Sequence, residues 1–543
     1  MKNVQLLFAS GFSEIDLAIV TVYLLGIVFL GIWSARREKG TTGDYFLAGR
    51  NLGWPMIGLS LFATNISTVH LVGLASAGFS DGLVFGNFEW LAAFCLILLG
   101  LCFAPFYFRS RVATLPEYLE RRFSSSSRTV LAVMAVFGAL FIHIGVSLYA
   151  GATIIERMLN LDVTLSILII STATAVYTVV GGLLAVVVTE AVQTVLLLAG
   201  ALIITLLCIF ALGDAGITDW SSFAAATKPN QLSMLHAEGN YAWYVMLLGY
   251  PVLGVWYWCA DQTIVQRVLA ARSERDAQLG PLFAGFIKVL PVFLMVLPGV
   301  MAFVLFKDVI GDDPDQTLPV LIEQLVPTGI KGLLAAGLLA ALMSTVAGAL
   351  NSTSTLVSID IVQRIWPLTG DAMLVRIGRI TAVVVMILAI LWSTQGKSFG
   401  GIFAGANHMI ACLAPPITAV FLLGVFWRRG TQQASLVTLL SGFLLGAIAF
   451  VIDFPAFGFN IISQQLSIPF MLQAFLLFAI CCVVFIGVSL VTPKPRPEQI
   501  KDLCWDNPLS ALLAVPERGG LGDPRVLALA LGVIMIALYV SFR

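Results

Sequence analysis

LFATNISTVH, residues 61–70, stands in the middle of an apolar run from Trp54 to Phe79 that is otherwise long enough to cross a bilayer as one helix. Six of these ten residues, Ala63, Thr64, Asn65, Ser67, Thr68 and His70, are small or carry hydroxyl, amide or imidazole groups. A helix facing hydrocarbon has no use for them, because a polar side chain at bilayer depth is costly unless it meets a cavity or a partner. The run therefore reads as a span broken at a functional site.

The rest of the chain fits a protein built in a bilayer. Of its 543 residues, 59% are hydrophobic and only 11% charged, and the mean hydropathy is +0.96. Soluble domains carry about a quarter charged residues, so the reading is an all-α polytopic membrane protein. Thirty basic and thirty acidic residues cancel, which argues against a nucleic-acid partner. The eight cysteines lie almost entirely in apolar runs without metal-ligand spacing, and read as small apolar core residues rather than disulfides. Met1 to Glu14 has no basic region leading into a short apolar stretch and cleavage site, so the first apolar run is expected to be retained as a span.

Apolar runs bounded by charged or Gly/Pro-rich loops predict about fourteen spans. They fall near residues 14–34, 54–79, 83–105, 128–158, 164–183, 187–212, 242–266, 281–306, 332–362, 374–395, 400–427, 434–453, 468–491 and 526–542. With the N-terminus outside, 22 of the 30 Lys and Arg residues, Arg122 and Arg267 among them, fall on the cytoplasmic side. That excess predicts both termini outside and an even number of spans. The outer loop 307–331 contains an amphipathic piece, LPVLIEQLV, expected to form a surface helix at the outer mouth, and the Pro-rich stretch 492–525 reads as a cytoplasmic linker to an accessory last span.

A second interruption stands five spans after the first. The seventh span reads LLGYPVLGVWYWCADQ, with Gly249, Pro251 and Gly254 ahead of Trp256, Tyr257 and Trp258. Interrupted helices at corresponding positions of two five-span halves point to an inverted-repeat transporter with its site near the midplane. The expected division is 1–50 as an extra helix and loop, 51–213 and 214–430 as the two repeats, and 431–543 as accessory helices.

DYFLAGR at 44–50, ATNIS at 63–67, FEW at 88–90, PEYLERRF at 116–123, WYWCADQTIVQR at 256–267, LNST at 350–353 and PPITAVFLLGVFW at 415–427 together resemble the sodium/solute symporter family, closely its sodium/glucose cotransporter branch. The resemblance runs from residue 14 to about 454 and implies the LeuT fold, an inverted five-helix repeat with extra helices, in a bacterial inner (plasma) membrane. It implies a transporter rather than an enzyme, with Na⁺ as coupling ion, no organic cofactor, and a monomer or weak homodimer in the lipid bilayer.

Site roles follow from the same resemblance, each checked against the chemistry of the residue. Sodium leaving water needs hard oxygen ligands, which uncoiled carbonyls and helix hydroxyls supply without a buried fixed charge. The family's sodium positions match the Ala63, Ile66 and Ala341 carbonyls and the Ser344 and Thr345 hydroxyls. Ala341 lies one helical turn before the two hydroxyls, so the three can face one point. A second site in some relatives matches Glu190, Ala347 and Gly348; the last two offer no side-chain oxygen, so one sodium per substrate is expected, with Glu190 assisting sodium exit.

The sugar positions match Asn65, His70, Glu89, Tyr257, Trp258, Lys288 and Asn407. A lone intramembrane acid, Glu89, and a lone well-buried lysine, Lys288, are expensive apart and tolerable together around a polar cavity. Tyr257 is expected to stack on the sugar and close its inner side, and Phe88 and Phe403 match outer-gate aromatics. His143, His236 and His408 have no motif around them and read as satisfied or solvated histidines. The implied activity is sodium-driven import of a neutral sugar such as glucose or galactose. The alternatives are a polyol such as myo-inositol, a small carboxylate or amino acid, or a transporter-like sensor or channel. An intramembrane hydrolase lacks the Ser/His or metal constellation it needs.

Overall fold

The break in the second span is real and sharp. In the computed structural model, which describes residues 12–36, 40–159, 161–394, 402–453, 461–507, 510–513, 520 and 522–543, the helical pieces on either side of it are bent by 62°. Trp54–Asn65 stops where Ile66 turns extended (φ −80°, ψ 101°). The chain restarts as Thr68–Ser80 from Ser67, whose own N–H and hydroxyl meet the His70 ring in a capping box. The second half is rich in small residues for a steric reason. A Cβ on Gly78 would stand 2.1 Å from the Val296 carbonyl oxygen, and one on Gly299 would stand 2.0 Å from that of Ala75. Here the second and eighth spans meet backbone to backbone, as small residues permit inside a membrane.

Among the described residues, eleven helices are long and apolar enough to cross a membrane, and the bent pair makes a twelfth span. The fifth and sixth predicted spans run together as Val163–Asp214. At 1.5 Å per residue its 52 residues would reach about 78 Å, far beyond a hydrocarbon core of about 30 Å. The run divides at Gly182 (φ 49°, ψ −150°), where the Tyr45 carbonyl oxygen leaves no room for a Cβ. The interrupted seventh span supplies the remaining one, in agreement with about fourteen. The ninth, Ile330–Ile365, is the central one: 94% of its most apolar window is buried, against 22% for the first span and 39% for the tenth.

One reading is corrected, the position of the break in the seventh span, and two are refined. The seventh span does not unwind at its glycines. Trp243–Val255 continues through a π-helical turn, Trp256–Ala260, and opens only at Asp261 (φ −89°, ψ 126°) before Gln262–Leu269. Gly249 and Gly254 instead admit Met471 and Cys95, each within 2.7 Å of where a Cβ would lie. The stretch 492–525 is more than a linker, since Trp505 donates through Nε1 to the Cys102 carbonyl (3.0 Å) and the Tyr118 hydroxyl donates to that of Leu503 (2.7 Å). Two arginines assigned to cytoplasmic loops, Arg122 and Arg267, are fully buried. Arg122 caps the carbonyls of Gly424, Trp427 and Gly430, and a guanidinium has donors enough for three carbonyls.

Thr317–Leu325 forms in the 307–331 loop as expected, burying Leu318, Leu321 and Ile322 against the second half of the second span. All eight cysteines are free.

Candidate functional site

The break brings the second and ninth spans together through oxygen atoms. Ser344 donates from Oγ to the Ala63 carbonyl at 2.8 Å and stands 2.9 Å from that of Ala341. Thr345 Oγ1 donates to the Thr64 carbonyl at 3.1 Å and reaches that of Ala341 at 3.3 Å. The two hydroxyls thus bond their own helix, as Ser and Thr do in membranes, and also cross to the broken one. Four of the five predicted sodium oxygens gather at this crossing. The fifth residue, Ile66, sits in the extended link, where its carbonyl is released from helical pairing. The donor set is uncharged and hard, which suits a monovalent alkali cation. The Thr64 carbonyl, which Thr345 also meets, is not among the sodium oxygens that the family resemblance implies.

Beside this crossing lies a cavity of about 180 Å³ lined by Asn65, His70, Phe88, Glu89, Tyr257, Trp258 and Thr345, among others. It is far larger than the ~10–15 Å³ that admits one water. Asn65 lines the cavity, and its Oδ1 is buried without a hydrogen-bond partner. The Ser67 N–H donates to His70 Nδ1 (3.3 Å), which makes Nδ1 the acceptor and leaves Nε2–H as the ring's donor.

Lys288 does not line the cavity. It stands behind Glu89 with Nζ 2.5 Å from Oε2, both side chains buried, and 5.5 Å from the Trp258 ring. Phe88 lines the cavity against Tyr250 and Tyr241. The side chains of Phe403 and Asn407 lie outside the described residues.

Glu190 is not open to solvent. Its carboxylate is fully buried, 2.7 Å from Arg267 Nη2, and accepts from the Thr64 hydroxyl (2.8 Å) and from Ser60. Arg267 Nε also donates to Ser60 Oγ (3.0 Å). A Cβ on Gly348 would meet Nη2 at 2.6 Å, so the missing side chain is what admits the guanidinium. Arg267 was missed as a site residue because a lone arginine near a span end reads as a loop charge. Its flanks, QTIVQRVLAA, hold no loop residue and are the signal that could have found it.

His143 was read as satisfied. It is, since it pairs with Asp261, but its ring also stands on the cavity wall. His236 is half-buried, with Nε2 3.1 Å from the Asn230 carbonyl.

Two broken helices meeting at a buried polar cavity are how secondary transporters of the LeuT fold build a midplane site, and this chain is of that class. The family model of the sodium:solute symporters matches residues 45–442. The chain is 34% identical to sodium/glucose cotransporter 4 of Danio rerio over 90% of its length and 80% of the relative's. It is 35% identical to the sodium/mannose cotransporter SLC5A10 of Bos taurus (91% and 89%) and 33% identical to sodium/myo-inositol cotransporter 2 of Oryctolagus cuniculus (90% and 78%). In fold it is similar to a Na⁺-coupled sialic acid symporter in a substrate-bound outward-open state, with TM-score 0.76 at 21% identity over 89% of this chain and 99% of that one. The chain belongs to the sodium:solute symporter family, and it is a multi-pass, sodium-coupled symporter rather than an enzyme.

Proposed function

We propose that the protein imports a neutral hexose such as glucose or galactose, one Na⁺ with each sugar, by alternating access across a bacterial inner membrane, with both termini outside. The observation that carries the substrate class is the Glu89–Lys288 contact of 2.5 Å. It cancels the one lysine near the cavity, so an anionic substrate finds no free cation there, whereas a polyol finds a carboxylate, the Asn65 amide, the His70 donor and the Tyr257 and Trp258 faces. Sodium is assigned to Ala63, Ile66, Ala341, Ser344 and Thr345, and the sugar to Asn65, His70, Glu89, Tyr257, Trp258 and Asn407, with Lys288 acting from behind through Glu89. Phe88 and Phe403 close the outer side, and Tyr257 the inner. Sodium braces the second span against the ninth in the outward-open form, and coupling requires that it bind the two forms with different affinity.

One sodium is favoured because Arg267 holds a fixed cation beside Gly348 and Glu190, where a second ion would be repelled. Sodium on its way in passes Glu190 only when Arg267 gives way. A myo-inositol-like polyol is the second reading, supported by the 33% identity to sodium/myo-inositol cotransporter 2 of Oryctolagus cuniculus.

The deciding experiment is sodium-gradient-driven accumulation of labelled hexoses, pentoses, inositols and small carboxylates in proteoliposomes. Accumulation of hexose, with a sodium Hill coefficient near one and one charge per sugar, is expected. Uptake of carboxylates alone, or two charges per sugar, overturns the proposal.

Ser344→Ala removes a hydroxyl from the sodium set. It is expected to raise the sodium concentration for half-maximal uptake about tenfold or more, the equivalent of about 1.4 kcal/mol, with a smaller change in sugar KM at saturating sodium. The sodium-dependent rise in melting temperature of the purified protein should shrink in parallel.

A further inference from the structure

The cavity has a second ionisable contact that the proposed transport cycle leaves unused. His143 lies in a π-helical stretch of the fourth span, Ala139–Val146, the kind of local rewinding that often accompanies a functional side chain. Its Nε2 stands 2.8 Å from Asp261 Oδ2. An ionised carboxylate can only accept, so the imidazole N–H donates. Asp261 is the residue at which the seventh span opens, and its other oxygen accepts from the Thr263 N–H at 2.6 Å, capping the helix that follows. The His143 ring stacks on Trp256, 6.1 Å away and 17° from parallel, and is 6.0 Å from Tyr257. His143, Trp256 and Tyr257 all line the cavity.

The seventh span up to Asp261 and the fourth span are differently anchored, while the helix after Asp261 meets the ninth span through Thr263–Ser352 (3.1 Å) and Gln266–Thr355 (2.7 Å). The fourth span is fastened to the ninth and tenth, since a Cβ on Gly151 would meet Leu342 at 2.3 Å and one on Gly145 would meet Trp392 at 2.3 Å. The seventh is fastened to the third, where Gly254 admits Cys95 and the Tyr107 hydroxyl donates to the Cys259 carbonyl at 2.7 Å. Beyond Asp261 the chain runs through Gln262–Leu269 towards Arg272 and Arg275, on the side read as cytoplasmic. The contact therefore crosses the inner side of the cavity, next to Tyr257.

We infer that His143 and Asp261 form a latch that ties the fourth span to the opening of the seventh and holds the inner side of the cavity shut until the substrate is to be released. The inference rests on the transport reading for its direction, not for the contact itself. Both are positioning residues: they set where Trp256 and Tyr257 stand and need not touch the sugar. Cutting the latch lets the carrier rest open to the inside, and the apparent affinity for external substrate falls in proportion to the outward-facing fraction that remains.

The test uses the full chain with three substitutions. His143→Ala removes the donor. Asp261→Ser keeps an oxygen for the Thr263 cap but is too short to reach the imidazole. His143→Gln retains an N–H at the Nε2 position. In proteoliposomes, His143→Ala and Asp261→Ser should raise the KM for external sugar about fivefold or more while sugar exchange at saturation holds, and His143→Gln should stay within about twofold of the parent. A residue that merely supports the fold would lower maximal exchange and leave KM unchanged.

Hydrogen exchange of residues 256–269, measured in sodium without sugar, gives an arm independent of the substrate. It should speed up by about tenfold or more in the first two variants only, with the double variant no faster than either single one. Unchanged exchange in the two latch variants, or additive effects in the double one, overturns the latch. If the parent protein carries none of the sugars, the transport reading fails and the exchange arm still decides the latch.

Discussion

Arg267→Leu is expected to be the most damaging single substitution in the inner half of the protein, and adding Glu190→Gln is expected to repair much of the damage. The pair is fully buried with 2.7 Å between Nη2 and Oε1, and Ser60 and Thr64 complete the carboxylate's contacts. Removing the cation leaves an uncompensated carboxylate at bilayer depth, which costs about 3–5 kcal/mol for a broken buried pair. Replacing both partners removes the charge problem along with the attraction, and such double replacements are often neutral. Thermal unfolding of the detergent-purified protein is the measurement: a large drop in melting temperature for Arg267→Leu, with most of it regained in the double variant. A single variant as stable as the parent would mean that water reaches Glu190 freely, against the geometry described.

Glu89→Gln is expected to abolish sugar uptake and leave sodium binding in place. The carboxylate faces the cavity on one side and Lys288 on the other. The amide keeps the shape, but it removes the charge that strengthens a hydrogen bond to a sugar hydroxyl and strands the ammonium behind it. A fall in kcat/KM for sugar of about 100-fold, the equivalent of about 2.8 kcal/mol, is expected. The sodium-dependent rise in melting temperature should persist, because Ala63, Ala341, Ser344 and Thr345 are untouched. Loss of both sugar and sodium responses would show that Glu89 supports the fold rather than the sugar.

Much of this was legible before any coordinates. Polar residues in an apolar run placed the break within Leu61 to His70, because hydrocarbon does not tolerate them there, and the fold narrows it to Ile66 and Ser67. The acid and lysine at 89 and 288 were picked out by the family resemblance, and the cost of burying either alone then argued for keeping them together. What the sequence concealed lies in backbone and in long-range pairing. The Ala63 and Ile66 carbonyls were reached only through the family resemblance, and the Thr64 carbonyl, which no motif position marks, only through the fold. Gly249 and Gly254 looked like helix breakers but are sites of close approach, because the sequence does not tell a glycine kept for its conformational freedom from one kept for its size. Arg267 looked like an ordinary loop charge until the space left by Gly348 showed where its guanidinium goes.

The contact at Gly78 and Gly299 has a mechanical meaning. With no side chain between the two backbones, the second half of the second span and the eighth span have no slack there to absorb a displacement. Lys288 sits on that eighth span, and the sodium oxygens sit at the root of the second. A swing begun at the ion's end is therefore handed to the eighth span at Gly299 undamped by side chains, and the π-helical turn Val292–Val296 between that contact and Lys288 is where the motion can bend.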